Sequence, residues 1–302
     1  MRFLVGGLAR SGTTWFAETL ASAPGFQYIH EPDTLTTDPF AWIGTRGIKF
    51  QEPIPPGTRM PNYQLMWDVA YSGGWRGAAP LLRRLALNRK LPKVVNIASS
   101  TTLARIARRR KPPTPHQLVK SVRVLMTIEW IADRYRPKVA VVWRSPLNML
   151  ASVRANEMAM SFGTAIQRRY IDTVAWPPPG DPDGKAAWTI CARLGVLLEI
   201  AGRHPDWMVV RHESVAADPT GKFRDVFARL EIPWAPEVEA FLAASNEPGS
   251  GWETKRVASK EATRWKERLS ADQIRTAGGV MERFSTVEGV GPIFAECLSE
   301  MG

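Results

Sequence analysis

Close to the N-terminus, Gly7-Leu8-Ala9-Arg10-Ser11-Gly12-Thr13-Thr14 has the spacing of a nucleotide-phosphate loop, G-x-x-x-x-G-K-[ST], with Thr13 where the lysine is usual. A short apolar run precedes it and a helical pattern follows, so backbone N–H groups can converge on an anion beside a helix N-terminus. The absent lysine is informative. In nucleoside triphosphatases that lysine reaches the β and γ phosphates, and an acidic strand end helps to hold Mg²⁺. Neither is present: the β-branched run 138–143 ends in Trp143 and Arg144. A single 5′-phosphate carrying a small transferable group suits the loop better, with the Arg10 guanidinium set over that group. A glycine turn of this kind also serves simply to join a strand to a helix.

Two further constellations carry chemistry. Arg144 ends the run 138–143, and Ser152 lies eight residues on, inside the next helix; a cation at a strand end and a hydroxyl in the following helix can grip one phosphate. Each also has a plain structural use, as a surface ion pair and a small packing residue. His30 and Glu31 stand side by side after a short apolar run, and either suits a general base. Neighbours in extended chain face opposite ways, so one of the two points into a site. His116, His204 and His212 are less suggestive.

The elements that must position these residues alternate. Strands are expected at 2–6, 26–29, 93–97, 117–122, 138–143 and 207–211. Helices are expected at 13–23, 75–90, 123–135, from Pro146 behind an Ser145 N-cap, at 186–202 and after 219. Residues 32–64 and 176–184 read as loops. The pattern implies one α/β domain over 1–302, a mostly parallel central sheet flanked by helices, with ligands along one edge at the strand ends.

Composition agrees with that class. The 302 residues are 44% apolar and 23% charged, which excludes collagenous and disordered chains. Cys191 and Cys297 are far apart and in no C-x-x-C pair, which argues against a disulfide framework or a zinc site. The apolar start is too short for a signal peptide, and no stretch approaches the roughly 20 apolar residues that span a bilayer. A cytoplasmic protein is expected, with peripheral membrane contact left open. The formal charge of +11 favours anionic partners, with solubility as the bland alternative. The basic run Arg105, Arg108, Arg109, Arg110 and Lys111 stops at Pro112 and reads as a solvated helix end rather than a nucleic-acid patch.

At this point the chain resembles a known family. GLARSGTTWFAETL is similar to the 5′-phosphosulfate loop of sulfotransferases that use 3′-phosphoadenosine 5′-phosphosulfate (PAPS), and VAVVWRSPLNMLASV resembles their 3′-phosphate motif. VVRHESVAADPTGKFRDVFARLEI and RWKERLS resemble later family phrases. Agreement covers about 1–32, 118–156 and 207–284, and looks closer to bacterial and glycan-type members than to the cytosolic steroid and phenol branch.

The resemblance implies a P-loop-like sulfotransferase fold, PAPS as co-substrate and no metal. Arg10, Ser11, Gly12, Thr13 and Thr14 would hold the 5′-phosphosulfate, and Arg144 with Ser152 the 3′-phosphate. Trp15 would stack on adenine or else be buried. YIHEP resembles a segment whose Glu acts as base, which favours Glu31 over His30, and Lys120 would assist donor or acceptor. Ser145 replaces the family's usual Asp, and the Arg-Lys-Gly of the steroid branch is missing; Lys255, Arg256, Arg264 and Lys266 are candidates to replace it. Trp42 and Trp67 are candidates to stack on an acceptor, which could be a glycan, a glycolipid or a small natural product. A P-loop kinase and a non-catalytic nucleotide-binding protein are the rival readings.

Overall fold

Five runs rich in Val, Ile, Leu and Phe form one parallel sheet in the order β2-β3-β1-β4-β5. The strands are β1 (Arg2–Gly7), β2 (Phe26–His30), β3 (His116–Ser121), β4 (Lys138–Trp143) and β5 (Met208–Arg211). The computed structural model describes residues 1–38, 40–49, 51–72, 114–158, 164–246 and 261–301. The expected helix at 75–90, strand at 93–97, basic run at 105–111 and the candidates Lys255 and Arg256 lie outside the described residues.

A parallel sheet must be covered on both faces, and the period of two in β1 and β4 shows how. Leu4, Val139, Val141 and Trp143 join one core, while Phe3, Val5, Ala140 and Val142 join the other. Each such side chain contributes roughly 1.5–3 kcal/mol by leaving water.

The described helices are α1 (Thr13–Ala21), α2 (Ala41–Gly44), α3 (Pro61–Ser72), α4 (Ile128–Tyr135), α5 (Pro146–Ala155), α6 (Thr164–Tyr170), α7 (Pro182–Gly202), α8 (His212–Ala217), α9 (Pro219–Arg229), α10 (Pro236–Ser245), α11 (Trp265–Arg268), α12 (Ala271–Ser285) and α13 (Gly291–Ser299). α7, buried on every side from Ala186 to Leu198, lies in the first core; α1 and α9 supply Phe16, Leu20, Phe223 and Phe227 to the second. Among the described residues no helix is long and apolar enough to cross a membrane.

Three differences from expectation have local causes. Part of the supposed loop 32–64 is helical, because Pro61 opens α3 and Tyr63, Met66, Trp67, Ala70 and Tyr71 recur at the spacing that buries one helical face. α7 begins four residues earlier than the periodicity suggested, since Pro182 is its first residue and Asp181 accepts the Gly184 N–H at 2.7 Å. The helix expected at 123–135 opens with a tight turn at Val124–Met126 before α4.

The order of strands reverses direction between β1 and β4. The chain leaves β1 toward β2 and leaves β4 toward β5, so a crevice opens beyond their C-terminal ends. The glycine loop follows β1 and Arg144 follows β4, one on each side of that crevice.

Candidate active site

The loop after β1 is held so closely that its glycines have no room for side chains. A Cβ on Gly7 would lie 2.4 Å from the Val142 carbonyl oxygen, and one on Gly12 would lie 2.0 Å from the ring of His212. Gly12 also has φ 85°, and Arg10 adopts φ 72°. These left-handed residues turn the loop tightly into α1, which starts without a side-chain cap. Ser11 is fully buried; its N–H and its hydroxyl both donate to the Leu8 carbonyl, at 3.2 and 2.8 Å. Ser11 therefore shapes the loop from inside, while Gly12, Thr13 and Thr14 face the crevice.

Arg144 leaves β4 almost fully buried. Its Nη2 donates to a Glu261 carboxylate oxygen at 2.8 Å and to the Glu261 carbonyl at 3.2 Å, and its Nη1 reaches the Arg10 carbonyl at 3.5 Å. Ser145 does not cap α5 with its side chain. Glu213, at the start of α8, ties down the entry to the helix instead: its carboxylate accepts the Ser145 N–H at 3.0 Å and the Asn148 side-chain amide at 2.9 Å. His212 packs beneath the loop; burial and then the Arg144 charge push its pKa well below the usual value, so its ring is neutral.

The proposed base side lies across the crevice. β2 ends at His30, and Glu31 turns off the strand with φ 45°, its N–H donating to the Lys120 carbonyl at 2.7 Å. Lys120, almost fully buried at the end of β3, donates to a Glu31 carboxylate oxygen, and His30 Nε2 lies 3.7 Å from the same oxygen. The Tyr28 hydroxyl contacts His30 Nδ1 at 2.8 Å. Burial pushes the Glu31 carboxyl up, but the Lys120 and His30 charges and the Lys120 hydrogen bond outweigh it, so Glu31 sits below the ordinary range and is ionised near neutrality. In the turn after β2, Asp33 accepts from the hydroxyl of Ser121, the last residue of β3, at 2.7 and 2.8 Å, and burial pushes its carboxyl up to about 6.

The two sides meet in one cleft of about 830 Å³. Of the residues singled out in the sequence, Arg10, Gly12, Thr13, Thr14, Trp15, His30, Glu31, Lys120, Arg144 and Ser152 line it. Arg10 Nε donates to Ser152 Oγ at 2.7 Å, which joins the two phosphate motifs directly. Trp15 is half-buried, not enclosed: its indole N–H donates to Ser245 at 3.1 Å and its ring meets His212 and Phe223 edge-on, at 5.7 and 5.2 Å.

Other expectations are corrected. Trp67 is a fully buried core residue and Trp42 packs in a satellite cluster beneath the Arg46 guanidinium; neither lines the cleft. Of the basic candidates near the C-terminus, Arg264 lines the cleft, whereas Lys266 lies over the outer face of Trp265. The sequence reading missed Glu213, Asn148, Glu261, Arg268 and the hydroxyls of Thr34, Thr36 and Thr37, of which all but Glu213 line the cleft. The segment VVRHES flagged the strand end before Glu213, but nothing local signals that this carboxylate would bind Ser145 and Asn148 at the start of α5.

No family model matches the chain. It is 27% identical to human carbohydrate sulfotransferase 3 over 180 residues, 55% of this chain and 36% of that protein. Identity to mouse carbohydrate sulfotransferase 2 is 32% over 97 residues, 28% of this chain and 18% of the relative. The matched region thus spans about a third or less of these curated relatives. Among solved structures, mouse sulfotransferase SULT7A1 complexed with PAP superposes with a TM-score of 0.47 at 12% identity, covering 98% of this chain and 88% of that one. The sulfotransferase domain from the curacin biosynthetic pathway gives 0.47 at 15%, covering 92% and 96%. Over 55% of its length, the chain is similar in sequence to human carbohydrate sulfotransferase 3.

Proposed function

We propose that this protein transfers a sulfuryl group from PAPS to a hydroxyl of an acceptor, by in-line displacement and without a metal. The observation that carries the reading is the meeting of two anion cradles in one cleft, with Arg10 Nε on Ser152 Oγ at 2.7 Å. A donor with phosphate at both the 5′ and 3′ positions of one adenosine needs two such cradles; ATP needs only one.

PAPS supplies the activated sulfuryl group, and the chain supplies positioning and charge. The free N–H groups at the start of α1 and the Arg10 guanidinium stabilise the negative charge that gathers on the departing 5′-phosphate. Arg144, with Ser152, takes the 3′-phosphate. The half-buried face of Trp15 offers a surface for the adenine. Glu31 accepts the proton of the acceptor hydroxyl as its oxygen bonds to sulfur. Lys120 keeps Glu31 ionised; once the anionic donor is present, Lys120 has a second negative group to serve and Glu31 becomes a better base. The similarity to carbohydrate sulfotransferases makes a sugar hydroxyl the first acceptor to try.

The reading is tested by incubating the purified protein with PAPS and a library of sugars, glycolipids and phenols in the presence of a chelator. Formation of adenosine 3′,5′-bisphosphate together with a sulfated product is expected. Binding of the bisphosphate with no turnover on any acceptor would support a nucleotide-binding protein instead, and phosphoryl transfer from ATP with Mg²⁺ would replace the proposal altogether.

A further inference from the structure

Arg144 is not waiting empty-handed for a phosphate. The Glu261 carboxylate occupies its Nη2 at 2.8 Å and pairs through its other oxygen with Arg264, and Glu261 lines the same cleft. A second carboxylate, that of Glu213, lies 3.8 Å from Arg144 Nε. Glu261 is shared with Arg264 and Glu213 with Arg211, whose Nε lies 3.5 Å from it, and a phosphate monoester would add roughly 1.5–2 further negative charges beside both carboxylates. On the Arg144 guanidinium itself, the Glu261 carboxylate and a phosphate would compete for the same Nη2 edge and repel each other at close range.

The two carboxylates are not equally free to leave. Glu213 is tied to the Ser145 N–H, the Asn148 side-chain amide and Arg211, and its removal would strand those buried donors. Among the described residues the Glu261 carboxylate holds two cations, Arg144 and Arg264. The backbone beside it is pinned, since Asn148 donates to the Ala262 carbonyl at 2.9 Å and accepts the Trp265 N–H at 3.3 Å. Trp265 is itself buried. Rotation of the Glu261 side chain is therefore the motion that takes the carboxylate off Arg144 Nη2, while the 3.2 Å contact to the Glu261 carbonyl stays.

We propose that Glu261 is an internal competitor for the donor: its carboxylate occupies the guanidinium edge that the 3′-phosphate takes, and it must swing away when the donor binds. This rests on the reading of Arg144 as the 3′-phosphate residue. Glu261 then lowers the affinity for any ligand with a 3′-phosphate, eases release of the bisphosphate product, and keeps a buried Arg144 paired between turnovers.

The test is calorimetric titration of wild type, Glu261→Gln and Arg144→Ala with adenosine 3′,5′-bisphosphate and with 5′-AMP. Removing one close like charge is expected to tighten the bisphosphate about tenfold in Glu261→Gln while 5′-AMP stays within about twofold. Unchanged or weaker bisphosphate binding in a folded Glu261→Gln protein overturns the proposal, and leaves the 3′-phosphate reading standing if Arg144→Ala still loses the bisphosphate selectively. Equal losses of both ligands in Arg144→Ala overturn that reading and the competitor with it. A wild-type crystal structure with the bisphosphate decides the matter even if the Gln variant does not fold. The contact between Arg144 Nη2 and the Glu261 carboxylate should be open with phosphate in its place; an intact carboxylate contact beside a bound 3′-phosphate overturns the proposal.

Discussion

Arg10 and Ser152, 142 residues apart in the chain, are joined by a 2.7 Å hydrogen bond from Nε to Oγ. One comes from the turn after β1 and the other from the second turn of α5 after β4. Their meeting follows from topology, because β1 and β4 are hydrogen-bonded neighbours whose outgoing connections run to opposite sides.

Gly12→Ala is expected to abolish binding of the bisphosphate. The new methyl would need φ 85° and would overlap the His212 ring, which is buried and has nowhere to move. The loop must open, at a cost of about 1–3 kcal/mol in stability. Urea denaturation should therefore show a folded, weakened protein; normal binding of the bisphosphate would remove the loop from the site.

Glu31→Gln is expected to leave donor affinity within about twofold and to lower kcat by about 10²–10⁴, the usual worth of a general base. Because Glu31 sits below the ordinary carboxylate range, wild-type activity should persist as pH falls through that range and fail only when Glu31 takes up a proton. Lys120→Met removes the main charge that opposes burial, so the acid limb of the rate profile should move toward neutral pH. An unmoved limb would assign the titration to another group.

Asp33→Asn isolates a buried carboxyl. Its folded pKa of about 6 lies above the ordinary value of 3.8, so the folded state binds its proton more tightly than the unfolded state. The Asp33 contribution to stability is accordingly full below the unfolded value and is lost as pH rises through about 6. Relative to wild type, the Asn variant should gain about 2–3 kcal/mol between pH 3.5 and pH 7. Parallel stability curves for the two proteins would show that Asp33 ionises normally.

The sheet was legible because burial on both faces demands β-branched runs, and KVAVVW could be little else. The glycine loop was legible because its chemistry is local: a turn, a helix start and hydroxyls within eight residues. Arg144 and Ser152, read together from the sequence, both line the cleft, but the Ser152 hydroxyl takes its hydrogen bond from Arg10. Their anionic neighbours could not. Glu261 reaches Arg144 across 117 residues and Glu213 reaches Asn148 across 65, and no local pattern fixes such distances. Trp67 misled for a related reason, since an indole that stacks on a ligand and one that fills a core look alike until the fold buries one of them.

The central claim is that one cleft grips both phosphorylated ends of a single adenosine, and titration of the chelator-treated protein with adenosine 3′,5′-bisphosphate and 5′-AMP tests it most directly. The bisphosphate should bind at least about tenfold more tightly in wild type, since a buried charge-assisted contact is worth about 1.5–3 kcal/mol, and Arg144→Ala should erase that difference. Equal affinities for the two nucleotides in wild type, or a difference that survives Arg144→Ala, would contradict it.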